Sequence, residues 1–154
     1  LRLENLNGAR TFERRVSEDE LRNEHRALLK GTIKMRDENF ILYVQTSDQP
    51  ERQYSPLVLA QTAKAMDLNP KLYYLGLGLK ILLPGTAEKI KLGSFPSVGE
   101  MLKKTLDMGI EIYVCEASKQ MLGWEKVELI PGVKIVGAAT LNDLALEAGA
   151  TMWF

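Results

Sequence analysis

The chain has 154 residues, 45% of them hydrophobic and 26% charged, which suits one globular domain with a buried core. Its 20 basic and 20 acidic side chains cancel, which leaves no electrostatic case for nucleic acid or an anionic membrane as a partner. One cysteine, Cys115, excludes an internal disulfide, and with one histidine, His25, it cannot assemble a zinc site.

Residues 1–38 are dense in charge of both signs and poor in apolar side chains. Ser17 and Glu20 have the spacing of a capping box, and a helix is expected over residues 18–29 with Gly31 as its stop. This segment reads as a charged helical N-terminal arm, separate from an α/β domain over residues 39–154. No basic segment followed by an apolar run opens the chain, so no signal peptide is expected. The chain starts with Leu rather than Met, as a trimmed chain or a piece of a longer one would.

From Phe40 the pattern becomes regular. Phe40 to Val44 is a short apolar run between polar residues, the signature of a strand buried on both faces of a parallel sheet. Thr46-Ser47-Asp48 follows it, either an anion-binding loop or a side-chain-stabilised turn. Ser55-Pro56 reads as N-cap and first turn of a helix with the stripe Leu59, Ala60, Ala63, Met66.

Leu72 to Leu75 is the second strand. A glycine-punctuated crossing follows, with Ile81-Leu82-Leu83 as a short strand or lid. The stretch Leu72 to Leu83 is too short and too interrupted to span a bilayer. Gly76-x-Gly78 lacks the rest of a dinucleotide fingerprint and reads as turn glycines. Ser97 and Glu100 form a second capping box, opening a helix through Met101, Leu102, Leu106 and Met108 to Gly109. Met101, Met108 and Met121 read as packing rather than metal ligands.

Ile110 to Val114 is the third strand and ends at Cys115; a short helix over Ala117–Leu122 follows. Val133 to Val136 is the fourth strand. Thr140 is expected to cap a last helix that stops at Gly149, and residues 150–154 form the fifth strand. Alternating strands and helices predict a flavodoxin-like, doubly wound five-stranded parallel sheet.

Ligands of open parallel sheets bind beyond the carboxyl ends of the strands, where Cys115 lies. The free amides of the helix after it favour the thiolate, which is the nucleophilic form. The competing reading is a small buried hydrophobe without chemistry. Glu116 would oppose ionisation if its carboxylate approached the sulfur. A Cys–His pair could only use His25, far away in the charged arm.

The segment Met108-Gly109-Ile110-Glu111-Ile112-Tyr113-Val114-Cys115-Glu116-Ala117-Ser118 resembles the central motif of the DsrE/DsrF-like family: a glycine, an apolar strand, a cysteine, a helix start of small residues. Gly123, Ile130-Pro131-Gly132-Val133, Val136-Gly137-Ala138-Ala139-Thr140-Leu141 and Gly78-Leu79-Lys80-Ile81-Leu82 extend the likeness over about residues 39–154. The resemblance implies a parallel α/β fold, a homo-oligomer (trimer or hexamer), and a cysteine that carries sulfur as persulfide or thiosulfonate.

Carried onto this chain, the carrier is Cys115, with Glu116, Ala117 and Ser118 as the residues meeting the substrate. Some relatives have a second cysteine a few residues later; here Ser118 and Gly123 occupy that stretch, which disfavours internal disulfide release and a peroxidase activity. The implied function is a cytoplasmic sulfur carrier or sulfurtransferase without cofactor or metal, exchanging sulfur with donor and acceptor protein thiols. The alternatives are a non-enzymatic oligomeric scaffold, or a flavodoxin-like module for a small ligand, with Cys115 buried. In an oligomer, Trp153-Phe154 and Tyr73-Tyr74 are candidate contacts between subunits.

Overall fold

The computed structural model describes residues 37–154 and, ahead of them, Ser17, Asp19 and Arg22. Asp19 and Arg22 are helical and exposed, with carboxylate and guanidinium 3.9 Å apart. The Glu20 half of the first capping box, His25 and the rest of the expected arm helix lie outside the described residues. Met35–Phe154 forms a compact unit of its own.

Its strands are β1 (Asp37–Gln45), β2 (Asn69–Tyr74), β3 (Glu111–Cys115), β4 (Val133–Val136) and β5 (Ala148–Trp153). All pair in parallel, in the order β4-β3-β2-β1-β5. The doubly wound five-stranded parallel sheet is therefore present. Its order differs from the 2-1-3-4-5 of flavodoxin itself, and the winding reverses between β1 and β5.

Four α-helices connect the strands: α1 (Tyr54–Ala65), α2 (Val98–Asp107), α3 (Glu116–Met121) and α4 (Ala138–Glu147). The first face of the sheet presents Tyr43, Leu72, Tyr74, Ile112 and Val114 to α1 and α2. The second face presents Phe40, Leu42, Val44, Tyr73 and Cys115, with Leu144 of α4 packed on them.

Local chemistry accounts for most boundaries, and for the places where they differ from the sequence reading. The Ser97–Glu100 capping box forms as expected: the Glu100 amide donates to Ser97 Oγ at 3.2 Å, and the Ser97 amide donates to Glu100 Oε2 at 2.7 Å. Ser55 is not an N-cap. Gln53 holds that position, buried, with its amide group bonded to the Ser47 and Gln49 carbonyls at 2.8 and 2.9 Å.

The buried face of α1 is Pro56, Leu57, Ala60, Gln61 and Ala63, while Leu59 and Met66 are exposed. Gln61 takes its inward place by donating to the Met101 carbonyl and to Thr105 Oγ1, each at 3.0 Å. Ile81-Leu82 is neither strand nor lid; it belongs to a 3-10 segment, Gly76–Leu82, that buries Leu79, Ile81 and Leu82 in the core.

Gly137, not Thr140, caps α4, and Gly149 lies inside β5 rather than ending the helix. A Cβ at Gly149 would come within 2.9 Å of the Asp37 carbonyl, so the β1–β5 pairing requires its absence. Tyr73 and Tyr74 are fully buried within the chain and cannot be subunit contacts. Met121 is exposed rather than packed. Among the described residues no helix is long and apolar enough to cross a membrane.

Candidate functional site at Cys115

Cys115 is the last residue of β3 and also the N-cap of α3. The strand delivers the thiol to the carboxyl edge of the sheet, and the helix turns its first amides back toward it. The thiol is 6% exposed. Burial pushes its pKa up, but the Ser118 hydroxyl and amide, the Tyr73 hydroxyl and the Ala117 amide outweigh that, holding it below the ordinary thiol value.

Each donor has its own support. Ser118, 5% exposed, accepts the Gly76 amide at 2.9 Å, which orients its hydroxyl. Gly76 adopts φ +55, so the chain turns sharply enough after β2 to bring that amide to α3. Tyr73 projects from β2 onto the same sheet face, and its hydroxyl also donates to the Gly137 carbonyl at 3.3 Å. Burial first, then the neighbouring thiolate, pushes the Tyr73 phenol well above its usual range, so it remains a proton donor.

The four residues expected at the site therefore divide. Cys115, Ala117 and Ser118 come together around the sulfur. Glu116 is exposed, and its carboxylate is not among the groups acting on the thiol. It lines a separate crevice of about 150 Å³ with Lys119, Gln120, Glu125 and Ile135, in which Cys115 has no part.

Tyr73 is the residue that sequence reasoning missed. Period-2 alternation in β2 puts it opposite Leu72 and Tyr74, but its meeting with Cys115 needs the pairing of β2 with β3, where Tyr73 stands beside Tyr113. The Thr46-Ser47-Asp48 loop is satisfied from within. Ser47 Oγ accepts the Gln49 amide at 3.1 Å, Asp48 binds Lys80 at 2.6 Å, and Thr46 Oγ1 donates to the Phe154 carbonyl at 2.7 Å. That is the turn reading of this loop. Among the described residues no group of three His, Cys, Asp or Glu is placed to hold a metal ion.

The profile of the DsrE/DsrF-like family matches residues 39–154. The chain belongs to this family. Over 125 residues it is 30% identical to the uncharacterized protein MJ0760 of Methanocaldococcus jannaschii, a match that takes in 80% of this chain and 46% of that protein. The chain thus spans about half the length of that curated relative.

Solved structures with the same fold include the ychN protein of E. coli, with TM-score 0.62 and 20% identity over 78% of this chain and 100% of that one. The conserved protein of unknown function BT1422 from Bacteroides thetaiotaomicron superposes with TM-score 0.59 and 14% identity, covering 75% of this chain and 95% of its own. At these identities the likeness is one of fold. Cys115 is the one cysteine in the sequence.

Proposed function

We propose that this DsrE/DsrF-like chain is a sulfur carrier that holds sulfane sulfur on Cys115 and passes it to a partner thiol. The observation that carries the reading is a thiol at the carboxyl edge of a parallel sheet, held toward its anion by two hydroxyls and two amides. With thiosulfate as donor, the Cys115 thiolate attacks the sulfane sulfur, the S–S bond to the sulfonate breaks, and sulfite leaves with the electron pair. With tetrathionate, thiosulfate leaves and a thiosulfonate remains on Cys115. An acceptor thiolate then attacks the outer sulfur of the persulfide, and Cys115 leaves as thiolate.

The amides of Ala117 and Ser118 are the carrier's contacts to the anionic adduct. The need to keep the thiol reduced supports a cytoplasmic setting. A homotrimer or homohexamer is supported by family membership and by Trp153, 59% exposed on edge strand β5.

Intact-protein mass spectrometry after incubation with thiosulfate, tetrathionate or polysulfide tests the proposal. Cys115 is expected to gain a reductant-labile sulfur or thiosulfonate, and Cys115→Ser is expected to gain nothing. An unmodified Cys115 under all three donors overturns it.

The 6% exposure of Cys115 favours a second reading, an oligomeric scaffold in which the thiol only packs. Alkylation of the native protein at mildly acidic pH separates the two. Prompt labelling supports the carrier, and labelling only after denaturation supports the scaffold.

A further inference from the structure

Strand β2 and the start of α3 bring donors to Cys115, and one of them, the Tyr73 hydroxyl, has two places to put a single proton. Tyr73 Oη donates to the Gly137 carbonyl at 3.3 Å, a long bond, and Gly137 O also receives the Thr140 amide at 3.1 Å as α4 begins. Tyr73 stands on β2, so in reaching the residue after β4 its ring crosses β3 on the sheet face that carries Cys115, within the same buried cluster, and its hydroxyl acts on the thiol there. Val136 pairs with Cys115 across β3–β4, and Gly137 is the residue that follows Val136 in the chain. A phenol has one O–H and can serve one acceptor at a time at full strength.

We infer that Tyr73 is a positioning residue whose hydroxyl turns from the Gly137 carbonyl to Cys115 Sγ when that sulfur bears charge, and so eases the departure of Cys115 as sulfur is handed on. This rests on the carrier reading and says which half-reaction the site favours. In the persulfide the charge lies on the outer sulfur, and Tyr73 returns to Gly137. As the acceptor thiolate takes the outer sulfur, the S–S bond breaks toward Sγ, the charge reappears there, and the Tyr73 O–H swings back to it. No proton is transferred in that step; a hydrogen bond changes acceptor.

Thiol exchange runs faster with a better leaving thiolate, while the same stabilisation blunts that thiolate as an attacker. The arrangement therefore favours discharge over loading.

The other charged groups near this face have partners of their own. Glu111 is held by Lys134 and lies 3.4 Å from Lys71; Tyr113 donates to Glu111 at 3.0 Å. On α3, Glu116 is exposed, and Lys119 donates to the Val127 carbonyl at 2.9 Å. The first turn of α4 holds no acidic residue.

Three measurements on Tyr73→Phe test the inference. The first is the pH profile of alkylation, whose inflection is expected to move to higher pH. The second is the single-turnover discharge of persulfide-loaded protein to a small thiol, expected to slow by roughly three- to tenfold. The third is the loading rate at a pH above both inflections, expected unchanged or faster. Equal slowing of loading and discharge, or an unmoved alkylation profile, overturns it.

Should the variant fail to fold, the wild-type protein carrying ring-labelled tyrosine serves. The Tyr73 ζ-carbon resonance is expected to titrate with Cys115 and to lose that inflection in Cys115→Ser; a resonance blind to Cys115 overturns the inference. If no donor loads sulfur at all, the carrier reading fails, while the alkylation and resonance profiles still decide the role of Tyr73.

Discussion

Ser118 shows how much of the site is local. Its hydroxyl bonds to the Cys115 sulfur and accepts the Gly76 amide, and its own amide also reaches the sulfur. Ser118→Ala deletes the hydroxyl and keeps the amide. The alkylation inflection of Cys115 is expected to rise, and the Gly76 amide, left without its acceptor in a part-buried place, should lower stability by about 1 kcal/mol. Iodoacetamide kinetics against pH and a urea melt read the two effects separately.

Ala117 and Ser118 could be placed at the thiol from the chain order strand–cysteine–helix, because an N-cap and the next turn are neighbours by construction. Tyr73 could not. It lies far back in the sequence, and only the strand register decides whether it meets Cys115. Adjacency in the chain points to Glu116 as well, but its exposed side chain lines the separate crevice instead.

Helix starts carry the same lesson for elements. Ser97 and Ser55 both precede an apolar stripe, and both resemble N-caps in sequence. Only Ser97 is followed by a glutamate that answers its backbone amide. Before Ser55 stands Gln53, whose side chain ties down the loop after β1 through the Ser47 and Gln49 carbonyls, and accepts from Gln45 Nε2 at 2.8 Å. The loop thereby sets where α1 begins, which no capping rule foresees.

Ser97→Ala should cost about 1 kcal/mol by loss of the cap, while Ser55→Ala, at an exposed position in the first turn, should be close to neutral. Paired urea midpoints check this; equal losses would mean that Ser55 does more than the structure shows. In sequence the segment after β2 reads as a crossing with a strand or lid, because its glycines look like turn punctuation. Gly78 is there for space. A Cβ would stand 2.6 Å from the Gln45 carbonyl oxygen, so the segment can pack against the end of β1 only with glycine.

Across the whole molecule, the strand–helix alternation made the parallel sheet legible, since each crossover needs a helix and one hand of connection dominates. What stayed hidden is that the two sheet faces are covered unequally. On the second face α4 packs over β1 and β5 through Leu144, Leu141 and Ala145. The half over β2, β3 and β4 carries Lys71, Glu111 and Tyr113, partly exposed although β2 and β3 are interior strands, together with the exposed Lys134 of edge strand β4. These residues satisfy one another. Lys134 and Lys71 both face Glu111, and Lys71 Nζ lies 4.9 Å from the centre of the Phe40 ring and 5.9 Å from that of Tyr113.

The cluster gives the fold a defined acid limb. Lys134, against a smaller opposing effect of burial, and then Tyr113 and Lys71 hold the Glu111 carboxyl below its ordinary value of 4.5. A carboxylate depressed in the folded chain stabilises it at every pH above the unfolded value, and that contribution fades as pH falls through the lower folded value. Glu111→Gln removes the titration and keeps the shape. The wild type should therefore lose more stability than the variant between pH 7 and pH 3, by under about 1 kcal/mol because the pair is a third or more exposed to solvent. Parallel acid limbs in urea midpoints measured at those two pH values would show that the lysines do not act on Glu111 in solution.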